Sequence, residues 1–221
     1  MKSYLTLLFA LFAVGTLYAQ DYNSMPEEAM RQMQGGEDGY MDMDTAHSSR
    51  RGASEVRWVE QTYPSGDKYV GYMKGDMHHG QGAYYWADGS RYEGEFSKSS
   101  LCGFGTLYHA DGTTFFEGEF KNDQPHGVGT LYFPNGRRYV GEWEDGVESG
   151  SGILYDPNNR VIYGGGWKDG KPNGTGTYYW EDGRKYVGEF RNGMSHGMGV
   201  LYNADGSVAY SGRWVDDKPQ E

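Results

Sequence analysis

The chain has 221 residues, of which 20 are Lys or Arg and 31 are Asp or Glu, so its net charge is −11. This acidity disfavours nucleic-acid binding, which needs basic patches, and it provides no general attraction to anionic lipid. The single cysteine, Cys102, cannot form an internal disulfide, so an oxidising compartment is tolerated but not exploited.

The N-terminus has the layout of a secretory signal peptide. Lys2 precedes an apolar run from Leu5 to Leu17, and a small residue, Ala19, follows. The run is shorter than the roughly 20 apolar residues that a membrane span needs. We therefore predict that residues 1–19 are a signal peptide and that the mature protein is secreted or extracytoplasmic, in a periplasm, a lumen or at a cell surface. An uncleaved anchor is the alternative.

Residues 20–55 are acidic and rich in Met, and they show no hairpin pattern. Their composition predicts a leader that is mostly disordered. Ser24 and Glu27 have the spacing of a helix capping box, and apolar residues follow at helical spacing. The alternative is therefore a short amphipathic helix over residues 25–34, which would dock on the rest of the chain. Its apolar side would consist of Met25, Ala29, Met30 and Met33.

From residue 56 the chain is built from one recurring hairpin, seen most clearly in His126–Trp143. Two β-prone runs, Gly127–Phe133 and Arg138–Trp143, flank Pro134-Asn135-Gly136. Asn-Gly between such runs is a strong hairpin signal, and a tight two-residue turn needs positive φ at both central residues. We therefore predict one β-hairpin with its tight turn at Asn135-Gly136.

The second strand of this hairpin recurs as a Tyr-x-Gly-x-aromatic pattern with a step of about 23 residues, which marks an array of stacked repeats. Each repeat opens with Gly-x-Gly and ends in a polar connector such as Lys168-Asp169-Gly170. The prediction is an all-β, elongated single-layer antiparallel sheet of consecutive hairpins over residues 56–217, followed by a tail, 218–221. The copies start at Tyr69, Tyr92, Phe116, Tyr139, Tyr163, Tyr186 and Tyr210.

Glycine weakens strands, but on a pleated sheet it leaves a gap that a neighbouring ring can cover. Period-2 alternation therefore predicts one face on which Tyr and Trp rings cover paired glycines. The opposite face carries a row of tyrosines and a row of glutamates, Glu95, Glu119, Glu142 and Glu189. Exposed tyrosines suit a peptide or helix, and the two end strands of such a sheet are open edges. We therefore predict that this face and the open edges bind a protein partner or a second copy in a homodimer. This tyrosine stripe is Tyr85, Tyr108, Tyr132, Tyr155, Tyr179 and Tyr202.

The strand Tyr139-Val140-Gly141-Glu142-Trp143 and the His-Gly-x-Gly motif at His79, His126 and His196 resemble the MORN repeat. The resemblance covers residues 56–217. It implies an elongated, twisted hairpin array that acts as a scaffold, a dimerisation module or a helix-binding groove, and it implies phospholipid and membrane-junction roles. Cys102, Ser149 and Asn173 replace the histidine in three copies, which puts individual contacts in doubt but not the fold.

No catalytic, metal or cofactor site is expected. Histidines two repeats apart would lie about 20 Å from each other, too far to share an ion. Successive glutamates would lie about 10 Å apart, beyond a retaining carboxylate pair and at the edge of an inverting one, so they are read as solvated surface. Gly164-Gly165-Gly166 lies within a strand and lacks the context of a phosphate-binding loop.

Two other functions remain open at this point. Membrane attachment would use the basic residues that follow two equivalent turns, Arg137, Arg138, Arg184 and Lys185. Binding to cell-wall glycan is suggested by Tyr84–Gly89, which faintly resembles secreted choline- or glucan-binding repeats. Asn173-Gly174-Thr175 is an N-glycosylation sequon placed in a connector, and it matters only in a eukaryotic secretory pathway.

Overall fold

The computed structural model describes residues 55–221. The signal peptide over 1–19, nearly all of the leader and the helix over 25–34 lie outside the described residues and stay predictions. The described part divides into two compact units, an N-terminal unit over 55–127 and a C-terminal unit over 128–221. Within 55–221 there is no α-helix, and no segment qualifies as a membrane-spanning helix.

Fifteen strands follow one another along residues 55–221. They are β1 (Val56–Thr62), β2 (Lys68–Lys74), β3 (Met77–Tyr85), β4 (Arg91–Ser97), β5 (Ser100–Tyr108), β6 (Thr114–Lys121), β7 (Gln124–Tyr132), β8 (Arg138–Glu144), β9 (Val147–Tyr155), β10 (Val161–Lys168), β11 (Lys171–Tyr179), β12 (Lys185–Arg191), β13 (Met194–Tyr202), β14 (Val208–Val215) and β15 (Lys218–Pro219).

The strands form one open antiparallel sheet whose strand order is the chain order. Even-numbered strands carry the Tyr-x-Gly-x-aromatic pattern, with Met73 in place of the last ring in β2 and Phe116 in place of the tyrosine in β6. Odd-numbered strands from β3 to β13 carry Gly-x-Gly. The register places Tyr84 opposite Tyr92 and Gly82 opposite Gly94. The same pairing recurs between β11 and β12, where Tyr178 faces Tyr186. The prediction of an all-β array of consecutive hairpins is confirmed.

The predicted turn at Asn135-Gly136 is in the right place but has a different geometry. Phe133 N–H donates to the carbonyl of Arg137 at 2.9 Å, and Gly136 N–H donates back to the carbonyl of Phe133 at 2.9 Å. Only Gly136 has positive φ, 81°. Pro134 fixes φ near −65°, which favours a type I turn, and Gly136 then closes the loop in the left-handed region. The expectation of two central residues with positive φ was wrong.

The tight turns with positive φ at both central residues occur where the sequence suggested loose connectors. Asn122 has φ 50° and Asp123 has φ 67°, and Asp145, Asp169, Asn192 and Asp216 begin equivalent two-residue turns. Because these turns are short, the odd strands begin earlier than predicted. The histidine of the His-Gly-x-Gly motif therefore lies inside a strand, as His126 does in β7, and not in a connector.

One side of each unit, the ring face, is packed by aromatic rings that lie flat on glycine. Tyr69 is fully buried, and a Cβ added at Gly82 would lie 2.5 Å from its Oη. The Tyr69 hydroxyl donates to the carbonyl of Tyr72 at 2.7 Å. The tyrosine is thus held in two ways. Its ring occupies the space that a Cβ at the glycine would fill, and its hydroxyl donates to a carbonyl three residues later. Tyr92, Tyr139, Tyr163, Tyr186 and Tyr210 make the same hydrogen bond.

The rings of neighbouring repeats are linked in a ladder of edge-to-face pairs. In the C-terminal unit, Trp167 meets Tyr139 of the previous repeat at 4.8 Å between centroids and Tyr163 of its own repeat at 5.3 Å. In the N-terminal unit, Phe96 bridges Tyr69 and Tyr92 in the same way. Edge-to-face pairs contribute about 0.5–1.5 kcal/mol each beyond burial. Each repeat is therefore stabilised mainly by its neighbour, as in other repeat proteins.

Tryptophan adds a hydrogen bond to this ladder. The indole Nε1 of Trp143, Trp167 and Trp214 donates to the carbonyl of a Gly-x-Gly glycine on an earlier strand. For Trp167 the acceptor is Gly152 and the distance is 3.1 Å. Phe occupies the same position in other repeats, so shape is required at this position and the indole N–H is an addition.

Candidate interaction surface

The side of each unit opposite the ring face, here called the open face, carries the large apolar residues that remain exposed. Alternation along the strands and the pairing registers place them there. In the N-terminal unit they are Val56, Trp58, Tyr72, Met77, Tyr85 and Phe104. In the C-terminal unit they are Val128, Val147, Ile153, Val161, Tyr179, Val187, Met198 and Val208. The ring faces contribute none of these residues, because their large side chains are buried or half-buried.

The tyrosine stripe lies on the open face, but most of its rings are covered by neighbours on adjacent strands. Arg91 lies over the ring of Tyr108 at 3.7 Å, and Thr114 is the register partner of Tyr108 on its other side. Tyr155 lies likewise between Arg138, at 4.1 Å, and Val161, while Tyr202 lies between Lys185 and Val208. Tyr132 is half-buried. Tyr85 and Tyr179 are the most accessible, at 38% and 43%.

The basic residues proposed for lipid contact lie at the start of β8 and β12, on both sides of the sheet. Arg138 and Lys185 are on the open face, whereas Arg184 lies over Trp180, whose ring packs on Tyr178 of the ring face. Arg138 and Lys185 stand over stripe tyrosines, and Arg184 forms an ion pair with Asp182 at 2.7 Å while lying over the ring of Trp180. Arg137 lies in the turn before β8 and is half-buried. Three of the four cations are thus engaged with side chains of their own array, and only Arg138 and Lys185 join the tyrosine stripe.

The sequence pattern missed the most exposed apolar residues of the sheet, which stand between the two glycines of Gly-x-Gly. Phe104 is 65% exposed, Val128 54% and Met198 61%. The first glycine of each pair has positive φ, 58° at Gly103 and 63° at Gly197, where the register shifts and the strand bulges. The bulge turns the central residue outward. Alternation already placed it on the tyrosine side, which was the available signal.

Trp58 and Tyr72 extend this set at the start of the N-terminal unit. Their rings pack edge to face at 5.0 Å, yet Trp58 stays 59% exposed and Tyr72 42%. Both lie on the open face, because Trp58 on β1 is the register partner of Tyr72 on β2. The N-terminal unit therefore exposes this aromatic pair in addition to Phe104. Aromatic residues are enriched in the cores of protein interfaces.

The glutamates read as solvated surface have a structural role as well. The carboxylate of Glu189 accepts the backbone N–H of Met198 at 2.9 Å, and Glu142 accepts that of Ser151 at 3.1 Å. Each glutamate therefore closes the bulge on the next strand, over a glycine that has no Cβ to obstruct it. A Cβ at Gly197 would lie 2.6 Å from Glu189 Oε1. These carboxylates therefore stabilise the sheet.

The described residues contain no cluster of three His, Cys, Asp or Glu side chains that could hold a metal ion. Burial raises the pKa of the Cys102 thiol, assisted by Glu95, so this cysteine is not an activated nucleophile. The sequon residue Asn173 is half-buried within β11, not in a connector as predicted. Its role as a glycan acceptor stays a prediction.

A sheet of consecutive hairpins, each built on the same glycine and ring positions, defines a repeat protein whose neighbouring repeats stabilise one another. The sequence matches the MORN repeat at residues 69–91, 92–114, 116–137, 139–159, 163–183 and 186–208. The chain belongs to the MORN-repeat family, as its resemblance to that repeat predicted.

One relative is the phosphatidylinositol 4-phosphate 5-kinase 1 of Oryza sativa subsp. japonica, 47% identical over 55 residues. The match covers 25% of this chain and 7% of the kinase. Among solved structures, a mutant of the TCP10 domain of Danio rerio CPAP is 16% identical, with a TM-score of 0.29, over 70% of this chain and 71% of that chain. This second likeness is too low to support an inference.

Proposed function

We propose that the protein is a non-catalytic scaffold that binds a protein partner, or a second copy of itself, through the open face. One observation carries this proposal: the exposed large apolar side chains of both units lie on that face. Soluble proteins rarely leave such residues grouped without a partner. The ring face is less suited, because its large side chains pack against one another and are buried or half-buried.

The most exposed apolar residues distinguish this proposal from glycan binding. A sugar stacks on a ring whose flat face is free, whereas Tyr108, Tyr155 and Tyr202 each have a cation over the ring. Phe104 and Met198 project from bulges, and flexible Met is common at protein-binding surfaces. A protein partner therefore fits the open face better than a carbohydrate chain does.

The variant Phe104→Glu/Met198→Glu tests the role of the open face. It should abolish binding, because a charge placed in an apolar interface costs several kcal/mol to desolvate. Both residues are exposed, so folding should be unaffected and circular dichroism should match wild type. The measurement compares the proteins captured by wild-type and variant bait, together with sedimentation equilibrium for self-association.

The matched control is Ala110→Glu/Ala204→Glu, which adds the same two charges at exposed turn positions. Glu181 occupies the equivalent position in another repeat, so glutamate is compatible with this turn. The control should retain every specific partner and any self-association. A partner lost equally from both variants would place its binding outside the open face. A monomer whose specific captures are unchanged in the Phe104/Met198 variant would contradict the proposal.

Membrane attachment is the second candidate, supported by the relative named as a phosphatidylinositol phosphate kinase. Against it stand the net charge of −11 and the engagement of Arg138, Arg184 and Lys185 with their own repeats. We expect wild type and an Arg137→Glu/Arg138→Glu variant to co-sediment equally little with phosphatidylserine and phosphatidylinositol 4-phosphate vesicles at physiological salt. Sedimentation of wild type that the variant loses would favour the membrane function.

Export from the cytoplasm is a further part of the proposal. It is supported by Lys2, the apolar run Leu5–Leu17 and Ala19. Expression of the full chain in a secreting host should yield a mature protein whose N-terminal residue is Gln20. Recovery only of an intact, cell-retained chain would contradict export.

A further inference from the structure

Glu148 is the one residue on the ring faces of the described sheet that brings an unpaired carboxyl group into the packing. It lies on β9, its side chain is fully buried, and it is the register partner of Trp143. Neither carboxyl oxygen receives a hydrogen bond from another described residue. A buried polar group without a partner is costly, and a buried charge is more so.

Equivalent positions in other repeats show what Glu148 lacks. The backbone N–H of Leu101 donates to the Asp123 side chain at 2.7 Å, and that of Ser195 donates to Asp217 at 2.6 Å. In each case the acceptor is the second residue of the two-residue turn in the following repeat.

On β11, neither the backbone N–H donor nor the aspartate acceptor is present. Pro172 has no N–H, and the turn residue that faces it is Gly193, whose N–H donates to the Pro172 carbonyl at 2.8 Å. In these repeats an N–H faces an aspartate, or a proline faces a glycine. Glu148 differs, because it has an N–H but the turn residue that faces it is Gly170. Glu148 Oε2 lies 3.2 Å from where a Gly170 Cβ would be. The carboxyl group thus fills the space that an aspartate side chain would enter.

A second stabilising contact is missing on the next pair of strands. β10 carries Gly164-Gly165-Gly166, and Gly166 stands where Glu95, Glu142 and Glu189 stand in other repeats. A glycine offers no carboxylate for the N–H of Thr175 on β11, whereas the equivalent N–H of Met198 has one. Two adjacent strand pairs therefore lack contacts that strengthen the rest of the C-terminal unit.

We propose that the segment β9–β11 is a pH-sensitive opening point of the array, closed while Glu148 is protonated and loosened when it ionises. Burial raises the pKa of Glu148 to about 7. The only group that lowers this pKa is the backbone N–H of Glu148 itself. The folded-state pKa is above that of an exposed glutamate, so stability is greatest at low pH and falls as the pH rises towards and through 7.

The groups around Glu148 do not offset its charge. Tyr139 on β8 is the titratable group that interacts with it electrostatically, and burial raises the pKa of that tyrosine. Trp143 on β8, Trp167 on β10 and Pro172 on β11 carry no charge. Lys168 and Lys171 are exposed and lie on the open side of their strands, and Asp169 is exposed in the turn. No cation therefore faces the buried carboxylate from these elements.

Hydrogen exchange of the full chain at pH 6 and pH 8, corrected for intrinsic exchange rates, tests the proposal. Protection of the β9–β11 amides should fall about tenfold between the two values, since one pKa unit corresponds to a factor of ten. Burial raises the pKa of Asp217 to about 6, which adds at most about a twofold change near β13 and β14.

The N-terminal unit provides an internal control. His78 occupies the position of Glu148 there, and burial lowers its pKa to about 4. A lowered histidine pKa makes stability fall as the pH drops below 6.5, so the protection of this unit should not fall from pH 6 to pH 8.

Two variants distinguish the effect of the Glu148 carboxyl group from a generally low stability of β9–β11. Glu148→Gln keeps the shape and should make the protection of β9–β11 independent of pH. Glu148→Pro copies the native Pro172 and Gly193 pair and should raise protection at pH 8 at least tenfold, because the buried carboxyl group is removed and proline reduces the freedom of the unfolded chain. A tenfold pH effect that persists in Glu148→Gln, or wild-type protection of β9–β11 that does not change with pH, would overturn the proposal.

Discussion

Replacing Gly152 by alanine should destabilise the C-terminal unit by about 3 kcal/mol, the upper range for overpacking a core. The added Cβ would lie 2.5 Å from Cζ of Tyr139, a contact that a Cβ cannot make. Tyr139 cannot move away, because Trp167 packs against its ring at 4.8 Å and its hydroxyl donates to the Glu142 carbonyl. Urea unfolding followed by tryptophan fluorescence measures the loss.

The matched control for this variant is Gly164→Ala on the neighbouring strand. Gly164 lies opposite Ile153 in the register, and a Cβ there would meet only Ile153 Cγ1 at the ordinary distance of 3.9 Å. Reduced freedom of the unfolded chain should make this variant neutral or more stable, by up to about 1 kcal/mol. Equal losses from Gly152→Ala and Gly164→Ala would mean that the glycines serve strand flexibility and not the packing of rings.

Replacing Trp167 by alanine should cost about 3–5 kcal/mol, the range for removing a large buried aromatic side chain. It removes the ring that joins Tyr139 of one repeat to Tyr163 of the next, together with the hydrogen bond to the Gly152 carbonyl. Because each repeat depends on its neighbour, unfolding should also become less cooperative. The measurements are the midpoint and the steepness of urea unfolding followed by circular dichroism.

Two variants bracket the effect of Trp167→Ala. Trp167→Phe keeps a ring and should lose only the indole hydrogen bond, about 1 kcal/mol, since Phe190 fills the equivalent position in the next repeat. Val161→Ala alters an exposed residue on the same strand and should change stability by less than about 0.5 kcal/mol. A loss in Trp167→Ala no greater than in Val161→Ala would show that the ladder of rings does not couple the repeats.

The array and its ring face were predictable because the same signal recurs in every copy. Tyr92, Gly94 and Phe96 fall on one side of a strand by alternation alone, and the structure buries both rings, with Tyr92 over Gly94 and Gly105 as expected. A repeat makes such a prediction strong, because each copy tests the pattern again. The sequence also placed the tyrosine stripe on the opposite side of the sheet.

The geometry of the turns was not predictable from the local Asn-Gly signal. The same turn forms at Ala87-Asp88-Gly89 and Glu181-Asp182-Gly183, which have no proline, and in each only the glycine has positive φ. The Asp or Asn side chain accepts the backbone N–H two residues later, and the tight turns occur at pairs such as Asn122-Asp123 instead. This difference moved His126 and Asn173 from connectors into strands. Loop types depend on both flanking strands, and a signal of two residues does not carry that information.

The exposed residues of the open face were missed for a related reason. Gly-x-Gly marks the opening of a strand, and the pattern gives no role to the residue between the glycines, such as Phe104 or Met198. Only the register shift at each bulge shows that they project furthest. Glu148 was missed because its position varies between repeats, from His78 to Pro172, and burial of a variable position cannot be seen in one sequence.

Hydroxyl-radical footprinting of the full chain, with modified residues located by mass spectrometry, tests the central claim that one face of the sheet is packed and the other is available. Phe104 and Met198, at 65% and 61% exposure, should be oxidised quickly, whereas Trp167 and Trp214, at 4% and 1%, should be protected. Met and Trp react readily, so Met198 and Trp214 give the sharpest comparison. Oxidation of Trp167 and Trp214 as fast as Trp58 would contradict a closed ring face and remove the basis for assigning binding to the open one.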